Sequence, residues 1–121
     1  MNKIELIGRT TNDLEVKTAG ETKYATFQLA VRRNFKNNKG EYDTDFLPCI
    51  ISGNAADILS KYVKKGDQIG IIGSLRSKTV EKDGEKKTHY SIAVDDFFFL
   101  EKKEGSVNNA PSDPSELPFE V

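Results

Sequence analysis

The sequence predicts an all-β domain with one short helix, a five-stranded barrel in the order β-β-β-α-β-β, followed by a disordered acidic C-terminal tail. Three observations carry this. Apolar and polar residues alternate along the strand segments, the period of half-buried strands. One segment, Asn54–Val63, changes to the helical period, and it falls between the third and fourth strands. From Gly105 onward periodicity stops and apolar groups become few. The 121 residues, 36% hydrophobic and 31% charged, suffice for one domain with a modest core and a polar appendage.

The first strand is read over residues 2–9, with Ile4, Leu6 and Gly8 on one face and Lys3, Glu5, Ile7 and Arg9 on the other. Thr10-Thr11-Asn12-Asp13 is turn chemistry, after which residues 14–17 resume the strand. Phe27, Leu29 and Val31 share the inner face of a long second strand that ends in a polar loop tip at residues 36–41. Phe46, Pro48, Ile50 and Ser52 alternate with Leu47, Cys49 and Ile51 along the third, where the proline suits an edge or a bulge. In the helix, Ile58, Leu59, Tyr62 and Val63 are expected on one face, with Asn54 as N-cap and Gly66 as C-cap. Lys64 and Lys65 stand where the helix dipole favours cations. Ile69, Ile71, Gly73 and Leu75 then alternate with Ser74, Arg76 and Lys78. Asp83-Gly84 signals a tight hairpin, and Tyr90, Ile92 and Val94 lead the last strand to Phe97–Leu100. This order is that of the OB-fold, a small barrel that binds oligonucleotides and oligosaccharides.

Composition narrows the function. A single cysteine, Cys49, excludes an internal disulfide framework or a cysteine-rich zinc site, and a single histidine, His89, removes most triad and metal chemistry. No catalytic residue, metal or cofactor is expected. The longest apolar run, Phe97–Leu100, is far too short to span a bilayer, and no signal peptide is read at the N-terminus, so the cytoplasm is the expected compartment. Net charge is −1, but it is divided unequally. Residues 104–121 hold four acids and no Lys or Arg, which leaves all 18 bases and 15 of the 19 acids in residues 1–103. A body of +3 beside an acidic tail suits a polyanion partner for the first and a basic partner for the second.

Binding a single nucleic-acid strand needs cations for the phosphates and flat side chains for the bases. Arg32, Arg33, Phe35 and Lys36 supply both within five residues. Phe35, embedded among polar residues beyond the core run, is a poor core candidate. Phe46 opens the third strand as core or platform, and its acidic neighbours favour platform. Arg76 and Lys78 lie on the face opposite the core, as do Lys3 and Arg9 on the first strand. Lys82, Lys86 and Lys87 surround the Asp83-Gly84 hairpin. Glu41, Asp43 and Asp45 alternate along one segment, the residues a metal-dependent nuclease would use, though a solvated hairpin face explains them better.

Several of these motifs resemble the bacterial and phage-type single-stranded DNA-binding proteins. The opening Met1–Arg9, the Asp13-Leu14-Glu15-Val16 segment, Ala25–Val31 leading to Phe35, Asp45-Phe46, Tyr62–Asp67 and Gly73–Lys78 fall in the family's order across residues 1–103. The resemblance implies a non-enzymatic OB-fold domain that binds single-stranded DNA without strong sequence preference, as a homotetramer. Such a protein coats and protects DNA during replication, recombination and repair, and is cytoplasmic and nucleoid-associated. Stacking roles carry over to Phe35 and Phe46, and phosphate roles to Lys3, Arg32, Lys65, Arg76 and Lys78. Ser52 and Val80 stand where many members have aromatics, so affinity should lean on charge. The tail, residues 104–121, resembles the family's flexible linker and acidic tip, implying that Glu116, Leu117, Pro118 and Phe119 dock replication, recombination and repair proteins; here Glu120 and Val121 follow the phenylalanine. The competing class is an OB-fold primosome-type adaptor with only weak nucleic-acid binding.

Overall fold

The computed structural model describes residues 1–102. The elements are β1 (Ile4–Thr10), β2 (Val16–Ala19), β3 (Thr22–Lys36), β4 (Tyr42–Ser52), α1 (Asn54–Tyr62), β5 (Gln68–Lys82) and β6 (Glu85–Glu101). Strands run in the order β1-β5-β6-β4-β3, and β1 also pairs β3 through Arg9↔Ala30 and Thr10↔Leu29. Five strands thus close into a barrel, the predicted architecture, which leaves no unpaired edge within the ring. All ladders of the ring are antiparallel except the short β4–β6 contact, Cys49↔Ile92 and Ile50↔Ala93.

The segment at Val16–Ala19 does not continue the first strand. It is a separate strand outside the ring, hairpin-paired to β3 from Val16↔Ala25 to Ala19↔Thr22. Local alternation is the same for a resumed strand and a new one, so only pairing distinguishes them. Both long hairpins outrun the barrel. β3 and β4 extend to Lys36↔Tyr42, and β5 and β6 to Lys82↔Glu85. The second turn has φ 53° at Asp83 and 80° at Gly84, the paired positive angles that match strand twist in a two-residue hairpin.

Leu29, Ile51, Leu59, Val63, Ile69 and Ile71 are fully buried and form the centre of the core, closed at one end by α1. Three expectations for the helix need correction. The N-cap is Gly53, at φ 79°, with no side-chain cap bond, and Asn54 is already helical. The helix ends at Val63 in extended conformation, and Gly66 belongs to the following turn, where its N–H reaches the Thr10 carbonyl at 2.8 Å. Ala56, Leu59 and Val63 are buried while Ile58 and Tyr62 are exposed. The buried stripe is therefore slimmer than the apolar one, and Tyr62 instead meets Phe99 edge-on, ring centroids 6.2 Å apart.

The α1–β5 turn is tied to the end of β1. Thr10 Oγ1 donates to the Lys64 carbonyl at 2.8 Å, and the carboxylate of buried Asp67 accepts from the Lys64 N–H at 2.9 Å and from Lys102 Nζ at 3.1 Å. Among the described residues no helix is long and apolar enough to cross a membrane.

Candidate nucleic-acid interface

All ten residues singled out within the barrel, Lys3, Arg9, Arg32, Arg33, Phe35, Lys36, Phe46, Lys65, Arg76 and Lys78, are exposed. They fall into separate groups. At the β3–β4 arm, Arg32 lies 4.7 Å from the Tyr42 ring centroid and Lys36 Nζ lies 5.8 Å from it, both within cation–π range. Phe46, opposite Ala30 in the ladder, continues the outward-facing row that holds Arg32 and Thr44. Phe46 is 56% exposed and Tyr42 43% exposed. The sequence reading missed Tyr42; its place four residues before Phe46, on the same face of a strand, was the available signal.

Phe35 is 67% exposed and does not share this row. It lines a cleft of about 910 Å³ together with Arg33, Ile7, Phe98 and Leu100. The ladder register shifts between Arg32 and Lys36, and Phe35 falls in that irregular stretch, its ring on this cleft while Phe46 keeps to the outward row.

Arg33 is committed to a carboxylate. Its Nη2 donates to Asp45 Oδ1 at 2.8 Å and its Nε to Asp45 Oδ2 at 3.1 Å, with Asp43 at 3.8 Å. The hydrogen bond and charge of Asp45 raise the guanidinium pKa, and Arg33 holds the Asp45 carboxyl below its ordinary value. Asn37 Nδ2 also donates to Asp43 at 3.1 Å. Two of the three acids a nuclease would require, Asp43 and Asp45, are thus spent on the arm's own cation and amide. Among the described residues no three His, Cys, Asp or Glu side chains converge on a metal position. With Asp45 matched by Arg33, the arm presents Arg32 and Lys36 as its outward cations.

Arg9 is likewise engaged. It donates to the Gly66 carbonyl at 2.9 Å and to Glu101 Oε1 at 3.0 Å, which tethers the end of β6 to β1. It still lines a second cleft, of about 630 Å³, with Arg32, Arg33 and Tyr42. Lys65 sits on the α1–β5 turn, its N–H held by Asp13 Oδ1 at 2.7 Å. Lys3 belongs to the far end of β1, about 20 Å from Arg9 at strand rise. There Asn2 bonds both the N–H and the carbonyl of Leu75 at 2.8 Å, which sets the N-terminus beside the root of the β5–β6 arm and its Arg76 and Lys78. The cations therefore skirt the barrel from one arm to the other instead of forming a single patch.

This barrel is not a novel one. Residues 1–100 match the single-strand binding protein family. The chain belongs to that family. It is 38% identical over 115 residues to single-stranded DNA-binding protein 4 of Streptococcus agalactiae serotype V, covering 93% of this chain and 83% of the relative. It is 35% identical over 113 residues to the single-stranded DNA-binding protein of Staphylococcus epidermidis, covering 93% and 86% respectively. Among solved structures, the Plasmodium falciparum SSB in complex with single-stranded DNA superposes with a TM-score of 0.74 at 28% identity, over 84% of this chain and 96% of that one. The docking tip, Glu116, Leu117, Pro118 and Phe119, lies outside the described residues.

Proposed function

We propose that this single-strand binding family member coats single-stranded DNA without strong sequence preference, during replication, recombination and repair, acting by binding and not by catalysis. The observation that carries the reading is the β3–β4 arm, where Arg32 and Lys36 stand over the exposed Tyr42 ring and the rings of Phe35 and Phe46 are exposed on the same arm. Bases of any identity have a π face to stack, and cations follow the backbone whatever the sequence. Lys3, Lys65, Arg76 and Lys78 extend the phosphate track around the barrel, and Arg9 and Arg33 contribute mainly by shaping it. Residues 1–103 make the DNA-binding domain, and residues 104–121 are an acidic docking tail for replication, recombination and repair proteins.

The assembly we propose is a homotetramer. On the outer face of the barrel Ile7, Gly70 and Phe98 stand side by side across β1, β5 and β6, flanked by Ile72 and Leu100. Ile7, Phe98 and Leu100 are half exposed in the single chain, and contiguous apolar surface of this kind supports self-association. With single-stranded DNA as the proposed ligand, the working location we propose is the cytoplasmic nucleoid.

Titration with oligo-dT of increasing length, with mass measured alongside, tests the reading. Binding should tighten with length and log affinity should fall linearly with log salt. Failure to retard oligo-dT at low salt would favour a protein adaptor instead, and shortening of the oligonucleotide in magnesium would favour a nuclease.

A further inference from the structure

The β5–β6 arm leaves the barrel at Leu75. Up to that point β5 is held on both sides, by β1 from Arg9↔Gln68 to Ile4↔Gly73 and by β6 throughout. From Leu75 to Tyr90 every residue is exposed, so little packing fixes the arm's direction. A two-stranded ribbon without a covered face is marginally stable and free to swing at its root. That root is irregular as well. The β5–β6 register shifts between Ile72↔Asp96 and Gly73↔Val94, and an extra residue in one strand bends it. Asn2, which precedes β1, acts at this point. The β1–β5 register, carried past Ile4↔Gly73, sets Asn2 opposite Leu75. Its side chain completes the pair: the Leu75 N–H donates to Asn2 Oδ1, and Asn2 Nδ2 donates to the Leu75 carbonyl, both at 2.8 Å. A side-chain amide offers the same donor and acceptor as a peptide group, so the two bonds reproduce the double exchange of a hydrogen-bonded ladder pair.

We propose that Asn2 is a positioning residue for DNA binding: its amide pins the root of the β5–β6 arm and fixes the direction in which Arg76 and Lys78 are presented, without touching DNA itself. Arg76 follows Leu75 directly along β5 and Lys78 lies two residues further, so a change of strand direction at Leu75 carries both cations off the phosphate track. An arm that samples several directions binds with an affinity reduced by the fraction of time it spends in the competent one. The same clamp holds Lys3, the next residue of the chain, in a fixed relation to Arg76. The proposal rests on the single-stranded DNA reading but adds a residue that acts through the arm and not on the ligand.

Asn2→Leu tests this in the full-length protein, because leucine keeps the branched shape of the side chain and removes both hydrogen-bonding atoms. Asn2 is exposed, so the melting temperature should stay within about 4 °C of the natural value. Hydrogen exchange at the Leu75 amide should quicken by about tenfold or more as the root opens locally. Oligo-dT affinity should fall about threefold to tenfold, the effect of two lost exposed hydrogen bonds on the population of one arm direction. A double-mutant cycle against Arg76→Gln/Lys78→Gln decides the cause. Once the arm's cations are gone its direction no longer matters, so Asn2→Leu should weaken that protein by less than about 1.5-fold further. A merely structural contribution would lower affinity by the same factor on both backgrounds. Equal factors on the two backgrounds, an unchanged affinity in Asn2→Leu, or a fall in melting temperature beyond about 4 °C would each overturn the proposal while leaving DNA binding intact. Absence of oligo-dT binding by the natural protein at low salt would instead overturn the underlying reading.

Discussion

Two glycines three residues apart on β5 should respond very differently to one added methyl group. A Cβ at Gly73 would lie 2.1 Å from the Ala93 carbonyl oxygen, 3.0 Å from its carbonyl carbon and 3.1 Å from Val94 Cα. All three are backbone atoms of β6, at the point where the register shifts between Ile72↔Asp96 and Gly73↔Val94. No side chain can swing aside, so the strands must part by about 1 Å to restore ordinary contact. Parting them strains two or three ladder hydrogen bonds at about 1 kcal/mol each and exposes partly buried polar groups, a cost of about 3 kcal/mol for Gly73→Ala. At Gly70 the same Cβ would meet Ile7, Leu100 and the Leu6 carbonyl at 3.7 to 3.8 Å, ordinary contact, so Gly70→Ala should lie within about 0.5 kcal/mol of the natural protein. In thermal unfolding the difference translates to a fall in Tm of about 12 °C or more for Gly73→Ala in a domain of this size. Because Gly73 stands at the root of the β5–β6 arm, oligo-dT affinity should fall with it. Equal melting temperatures for the two variants would refute the close-approach argument.

Other outcomes follow from the arms. Phe46→Ala and Phe35→Ala should each weaken oligo-dT binding by about 1–3 kcal/mol with unchanged melting, because both rings are exposed and contribute little to the core. Asp45→Asn should release Arg33 for phosphate, so dT binding tightens and the salt slope steepens by about 0.7 in a salt-series titration. Because Arg33 depresses the Asp45 pKa, the pair's stabilising contribution is present above the carboxyl's unfolded value and is lost as pH falls through the folded one. Acid melting curves of natural and Asp45→Asn proteins should therefore converge at low pH. Cys49 is buried and desolvation pushes its thiol pKa up to about 12, so it should resist iodoacetamide at pH 8 until denaturant is added, as mass spectrometry would report.

What the sequence determined by itself is what repeats locally. Alternation with period two marked Phe27, Leu29, Ile69, Ile71, Ile92 and Val94 as interior, and it set Arg32, Arg76 and Lys78 outside; the change of period at Asn54 located the helix. Asp83-Gly84 announced its turn because the required positive φ angles belong to those residue types. The tertiary structure decided everything that depends on which distant segment lies alongside. Val16–Ala19 became a strand of its own because β3 was there to pair with it, and the ring closed because β1 meets β3, through two residue pairs. Exposure of Ile58 and Tyr62 was fixed by which face of the helix the strands cover, which no helical wheel contains. The same holds for the site. Arg33 and Arg9 read as free cations in a linear chain, but a strand partner brought Asp45 to one, and the end of β6 brought Glu101 to the other. Side-chain charge is written residue by residue, whereas its neutralisation depends on distances of a few ångströms between residues 12 and 92 positions apart.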